Sequence, residues 1–399
     1  MIDKLIQPEI QQFIEEHFND DVAALLLKTK EINGVPTSLV VDQITGKRKA
    51  VEKIPLYRNT RGIIYPPALN WSQCSSEQTA AYKSKWISKQ LASLKNGVDL
   101  TGGFGIDTFF IGSLFQQYVY IDPNESLLRI AKHNHQTLHA KNIDYKHTTA
   151  EVFTDQLAEK YDFIYVDPSR RDENNKKLVR LSDCVPDVTA LQEKLLSYSP
   201  VLLIKTSPLL DIQQGLRELK HVKEVVVLSV DNECKEVLFW CQQDFQATPD
   251  IVAVNLQKKS EVDFSFNFSD ESSFSVTFST PKRYVYEPNA SILKAGGFKS
   301  VANRFGLNKL HMNTHLYTSE SLVGEFPGRA FETKAIVKSD PKTISEYFKD
   351  GKANVITRNY ALSSEELKKK LKLSDGGEKY LLAFAGVDKK YLIYADRLK

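Results

Sequence analysis

Eleven residues, 98–108, limit what this chain can fold into more than any other stretch: Val-Asp-Leu-Thr-Gly-Gly-Phe-Gly-Ile-Asp-Thr. A short apolar run ends in Asp99, turns through glycines, and enters helical spacing at Thr108-Phe109-Phe110-Ile111. Glycine suits such a bend because the backbone turns sharply and a ligand can approach with no Cβ in the way. From about residue 95 to 243, short β-rich runs at 98–100, 118–121, 163–166 and 201–204 alternate with helical patterns. That alternation predicts a parallel sheet with helices on both faces, an α/β fold.

Two acids indicate which ligand the bend suits. A dinucleotide site favours a third glycine, so that pyrophosphate can sit on the helix N-terminus. Here that position is Thr108, and Asp99 stands four residues before Gly103. A carboxylate there repels pyrophosphate and attracts the ammonium of an amino-acid tail, which favours S-adenosylmethionine over NAD. Asp122 ends the second run, seventeen residues after Gly105, and an acid there can take both ribose hydroxyls of a nucleoside. Its alternative role is an N-cap, with Pro123 at the first helical position. The runs at 222–230 and 236–240 are separated by five residues, too few for a crossover helix. They must form an antiparallel hairpin, which reverses the last strand.

With these features, segment 95–243 resembles the class I S-adenosylmethionine-dependent methyltransferases, with 99–105 as the first motif and Asp122 as the second. The resemblance implies a Rossmann-like sheet of seven strands, the last antiparallel. It also implies cofactor contacts from Asp99, Thr101, Gly103, Gly105, Asp107, Thr108, Asp122 and Pro123. Glu151 falls where such enzymes hold the adenine amino group, a helix-capping role being the alternative. Asp167-Pro168-Ser169-Arg170 is similar to the Asp/Asn-Pro-Pro-Tyr/Phe/Arg run of nucleic-acid methyltransferases. Arg170 stands in place of the stacking aromatic, and an arginine can stack on a base or clamp a phosphate. The fifth strand region, 204–208, offers no cysteine for a covalent route. In-line displacement remains, with Asp167 and Pro168 at the reacting centre, Asp167 accepting a proton, and Lys205 orienting. The alternatives are a solvated Lys205 and an Arg171 paired with Asp172 or Glu173.

Residues 1–94 read mostly helical, and 75–78 offer a start for a helix through Tyr82 and Trp86. Past Cys241 the pattern turns to antiparallel alternation at 252–256 and 264–278. The last 70 or so residues read strand, helix, strand, helix, strand, strand, a compact α+β module. Segments 286–297 and 353–359 resemble the ferredoxin-like and THUMP-like modules of a family of bacterial methyltransferases, and THUMP domains bind RNA. The expected division is a helical region 1–94, a cofactor domain 95–243, a ferredoxin-like link 244–328 and a THUMP-like domain 329–399.

Charge agrees with an RNA partner. Residues 281–399 hold 22 Lys+Arg against 13 Asp+Glu, a net +9 in a chain of +3, leaving −6 for the rest. A basic end on an acidic body points to a polyanion, with a solvated basic face as the alternative. The candidate RNA contacts are Arg170, Arg171, Lys352, Arg358, Lys368 and Lys369. Tyr347, Phe348 and Tyr360 could stack on bases, although aromatics at such spacing more often belong to a core. The four cysteines form no disulfide or metal pattern, and neither a signal-peptide core nor a membrane-length apolar run is present. A cytoplasmic protein without metal or membrane contact is expected. The combined expectation is methyl transfer from S-adenosylmethionine to a structured RNA, tRNA or rRNA. The alternatives are a small-molecule or protein substrate, with residues 1–94 as a lid, and a non-catalytic RNA-binding protein.

Overall fold

The computed structural model describes residues 2–170, 180–258 and 260–398. The chain divides into two units, 1–223 with 237–246, and 224–236 with 247–399. Six sheet strands lie wholly or mostly in the first unit: β1 (Asn96–Asp99), β2 (Gln117–Asp122), β3 (Ile143–His147), β4 (Phe163–Val166), β5 (Val201–Thr206) and, after β6 (Val222–Val230), most of β7 (Glu233–Gln242). Their order is β3-β2-β1-β4-β5-β7. All neighbours run parallel except β7, which lies antiparallel to β5. Every residue of β4 and β5 is buried, as expected of strands covered on both faces. Only Asp231 and Asn232 separate β6 from β7, and both are left-handed (φ 47° and 67°), the geometry of a two-residue hairpin. The α/β sheet with β7 reversed is therefore the fold, but it continues past the expected seven strands, with Asp250–Gln257 parallel to β6 and Ser260–Asn267 beside it.

The residues before β1 are mostly helical, with one exception. Glu31–Ile32 and Val35–Pro36 pair around Asn33-Gly34, whose φ values of 48° and 74° meet the demand of a tight hairpin. Buried side chains from Leu5 to Ala80 form one core with Phe104, Ile106 and Ile130. Asn134 also exchanges two hydrogen bonds with the backbone of Ile64, at 2.8 and 2.9 Å. A lid must move off its site, whereas this region shares a core with the glycine bend and its helix.

In the second unit Asp250–Gln257 pairs with Ser260–Asn267. The alternation over 264–278 predicts a longer strand, but the strand stops at Asn267. That residue caps the helix Phe268–Ser273, its Oδ1 accepting from Ser269 N at 2.9 Å. A seven-stranded sheet follows, in the order Asn308–His311, Thr314–Ser319, Tyr284–Pro288, Gly328–Ile336, Lys390–Arg397, Lys379–Ala385, Asn354–Arg358. The helix Ser364–Leu371 starts at a reciprocal cap between Ser363 and Glu366. Among the described residues no helix is long and apolar enough to cross a membrane.

Candidate active site

The bend between β1 and the helix Ile106–Gly112 is held from below by Asp99, which is fully buried. Its Oδ1 accepts from Thr101 N at 2.9 Å and its Oδ2 from Thr108 Oγ1 at 2.6 Å. Burial pushes this carboxyl up to about 7, against the pull of those two donors. Thr108 thus serves Asp99 rather than standing open to a ligand. The glycines differ in what demands them. A Cβ at Gly102 would lie 2.1 Å from the Tyr120 ring, and one at Gly105 (φ 84°) would lie 2.7 Å from His135 Nε2. At Gly103 (φ 56°) a Cβ would meet nothing nearer than Thr101 O at 3.8 Å. The protein's own packing forbids side chains at the first two; at Gly103 the backbone is left-handed and faces space.

Asp122 ends β2 directly beside this bend. Its Oδ2 accepts from Gly103 N at 2.8 Å and its Oδ1 from Asn124 N at 2.7 Å. Burial raises its pKa while those backbone donors and His147 lower it. Each oxygen keeps a second lone pair for a hydroxyl donor. Asp122 is not the cap of the following helix: Asn124 is, accepting from Ser126 N and Leu127 N. Pro123 stands between them, its carbonyl hydrogen-bonded to His147 Nε2. His135 braces the bend from the far side, bridging Gly105 O and the Tyr145 hydroxyl, and burial lowers its pKa to about 4, so it is neutral. Glu151 is half-buried in the first turn of the helix Ala150–Asp155, which Thr149 caps.

At the ends of β4 and β5 lies a second group of charges. Lys205 Nζ sits 2.5 Å from Asp167 Oδ2 and 3.3 Å from Asp107 Oδ2. Asp107 Oδ1 faces Lys83 Nζ at 2.9 Å, and its Oδ2 accepts from Ser75 Oγ and the Tyr165 hydroxyl, both at 2.7 Å. Burial alone would raise the Asp107 pKa, but the Lys83 and Lys205 ammonium groups hold it well below the usual carboxylate range. Lys205 is 7% exposed, so the solvated alternative is set aside. Asp107 turns to these lysines instead of the glycine bend. Thr101 joins the two groups, its Oγ1 accepting from Asp167 N at 2.7 Å. The pair Ser169–Arg170 continues as a short strand against Cys184–Val185. The Arg170 side chain, and all of Arg171, lie outside the described residues.

Sequence reasoning passes over Lys83, Ser75 and Tyr165. Lys83 carries a signal: on the helix Glu77–Gln90 it shares the buried stripe with Thr79, Ala80, Trp86 and Ile87. A lysine at a core position needs a buried partner.

In the second unit the four basic candidates separate. Lys352 and Lys369 are exposed. Lys368 is 5% exposed and paired with Glu365 at 2.5 Å and Asp375 at 2.6 Å, so its charge is already engaged. Arg358 pairs with the buried Glu287, which Arg329 also holds. Lys368 shares its one ammonium between two carboxylates, whereas Arg358 and Arg329 share the single carboxylate of Glu287, so Arg358 is engaged without being neutralised. Phe348 is buried in a core against which Tyr347 and Tyr360 pack, in line with the core reading of these aromatics.

Residues 284–327 match the ferredoxin-like domain family and residues 328–397 the THUMP domain-like family. No curated protein matches the chain. Among solved structures, a proposed methyltransferase from Porphyromonas gingivalis W83 is 31% identical, covering 100% of this chain and 99% of that one, with a TM-score of 0.85. An rRNA methylase from Streptococcus thermophilus is 17% identical over 41% of this chain and 94% of that one, with a TM-score of 0.31. A proposed methyltransferase from Streptococcus mutans, solved with SAH, is 15% identical over 40% of this chain and 95% of that one, with a TM-score of 0.31.

Proposed function

Given that the chain belongs to the class I S-adenosylmethionine-dependent methyltransferases with C-terminal ferredoxin-like and THUMP-like domains, we propose that it methylates a structured RNA, tRNA or rRNA. In this reading the bend between Asp99 and Asp122 holds the cofactor, and Asp167 accepts the proton of the nucleophile. The observation that carries the cofactor site is Gly103, whose left-handed backbone faces open space while its N–H is tied to Asp122. The donor set suits a nucleoside bearing a cationic tail. Asp122 can accept from ribose hydroxyls, Glu151 is assigned to the adenine amino group, and Asp99 is ready to ionise fully when an ammonium arrives.

When bound, S-adenosylmethionine supplies a methyl group on a sulfonium, already a strong electrophile. The chain's own residues then need only align the nucleophile and take its proton. Asp167, about a third exposed, presents a carboxylate at the sheet's edge. Lys205 fixes one of its oxygens and favours the ionised, proton-accepting form. Thr101 holds its backbone to the cofactor bend. Pro168, Arg170 and Arg171 follow directly in sequence and are assigned to the substrate side.

The RNA reading is supported by the basic excess of residues 281–399, the exposed Lys352 and Lys369, and the THUMP domain-like match. We divide the second unit near residue 328, in keeping with the two family matches. The cytoplasm is the proposed compartment, on four cysteines none of which is in a disulfide. Comparing methylated-nucleoside profiles of RNA from cells with and without the gene tests the substrate. One missing methylated nucleoside is expected; an unchanged profile overturns the RNA assignment.

A further inference from the structure

Three buried charges and a fourth about a third exposed meet at the sheet's edge, and they come from four places in the chain. Lys83 lies on the helix Glu77–Gln90, Asp107 on the helix Ile106–Gly112, Lys205 on β5, and Asp167 just past β4. They alternate in sign along one line of contacts: Lys83 to Asp107 at 2.9 Å, Asp107 to Lys205 at 3.3 Å, Lys205 to Asp167 at 2.5 Å. Lys83 is fully buried and Asp107 nearly so, which removes the water that would otherwise screen them. The ammonium of Lys205 is divided between two carboxylates, and how it divides depends on how well Asp107 is satisfied from its other side. Lys83 provides that satisfaction.

From this geometry we infer that Lys83 is a positioning residue for Asp167, acting through Asp107 and Lys205. The helical region before β1 thereby helps set the charge state of the reacting edge. With Lys83 present, these four charges sum to zero and Lys205 leans toward Asp167, the shorter of these two carboxylate contacts. Without it, Asp107 draws Lys205 toward itself and adds an unbalanced negative charge, and both effects favour protonation of Asp167. Without the Asp107 charge instead, Lys205 and Lys83 are left in excess, and Asp167 holds its ionised form to lower pH. Among the described residues, other titratable groups around this line are Asp99 at the end of β1, Tyr118 on β2, Tyr165 on β4 and Cys74 before the helix Glu77–Gln90.

The test is the carboxyl titration of Asp167 in the full chain carrying carbon-13 at the aspartate Cγ, followed by NMR and assigned through Asp167→Asn. Lys83→Met is expected to raise the midpoint by about one pH unit, and Asp107→Asn to lower it by about the same. The double variant removes both charges and is expected to return the midpoint close to the starting value. A purely structural lysine would not give shifts of opposite sign that cancel. If Lys83→Met alone does not fold, the fall in Asp107→Asn and the return in the double variant read the same coupling. A single variant that leaves the midpoint in place, or a double that fails to return, overturns the inference. The inference rests on the reading of Asp167 as proton acceptor, and the two fail separately. A coupling that is present while Asp167→Asn methylates RNA at full rate removes the acceptor role alone; an absent coupling removes the inference whatever Asp167→Asn does.

Discussion

Asp99 and Asp107 stand eight residues apart on either side of one glycine bend, both buried, and their environments push them in opposite directions. Asp99 meets neutral donors, a backbone N–H and a threonine hydroxyl, and burial carries its pKa up to about 7. Asp107 meets two ammonium groups and is held well below the usual range. Hydrogen bonds to neutral donors offset only part of the cost of burying a charge, whereas a cation at contact distance offsets much more. The difference separates two jobs. Asp99 has negative charge still to offer an incoming cation, while the charge of Asp107 is already committed to ordering the reacting edge.

The largest effect expected from this contrast is on stability. Asp107→Ala removes the carboxylate shared by two buried ammonium groups and is expected to cost ~3–5 kcal/mol, whereas Asp99→Asn keeps the Thr101 N–H on its oxygen, lets the Thr108 hydroxyl turn to accept from its amide, and should cost about 1 kcal/mol or less. Urea denaturation of the two variants checks this, and equal losses would erase the distinction. Next in size is cofactor affinity. Asp122→Ala removes an acceptor of two charge-assisted hydrogen bonds and should weaken S-adenosylmethionine binding by about 100-fold or more in equilibrium dialysis. Undiminished binding would move the ribose elsewhere. The smallest effect carries the same distinction between engaged and available charge into the second unit. Lys369→Ala is expected to lower the salt-dependence slope of RNA binding by about 1, and Lys368→Ala to leave it unchanged.

The bend, Asp122 and the reversed strand are legible in the sequence because each is local. Strand, turn and helix follow one another within a dozen residues, and a short connection leaves a chain no other geometry. The helix Ser364–Leu371 starts at a cap that Ser363 and Glu366 form within one turn, an equally local signal. The hairpin at Asn33-Gly34 carries another, overridden by the helical spacing that dominates residues 1–94. The strand foreseen over 264–278 shows the converse, where alternation continues past a side chain able to start a helix. The Lys83–Asp107–Lys205–Asp167 line is different in kind. Its members are 24, 98 and 38 positions apart, and nothing but the fold brings them together. The engaged state of Lys368 was hidden for a simpler reason: a run of three lysines says nothing about which one turns inward.

The central claim is that the bend between Asp99 and Asp122 binds a sulfonium nucleoside through an acid that still has charge to give. Calorimetric titration of S-adenosylmethionine into the full chain at pH 8 and at pH 6 tests it most directly. A ligand cation binds the ionised form, so affinity should be full above the Asp99 pKa of about 7 and decline below it, by roughly tenfold at pH 6. Measurable binding that weakens in this way is the predicted result. No heat with this ligand at either pH, together with tight binding of a pyridine dinucleotide, would contradict the account.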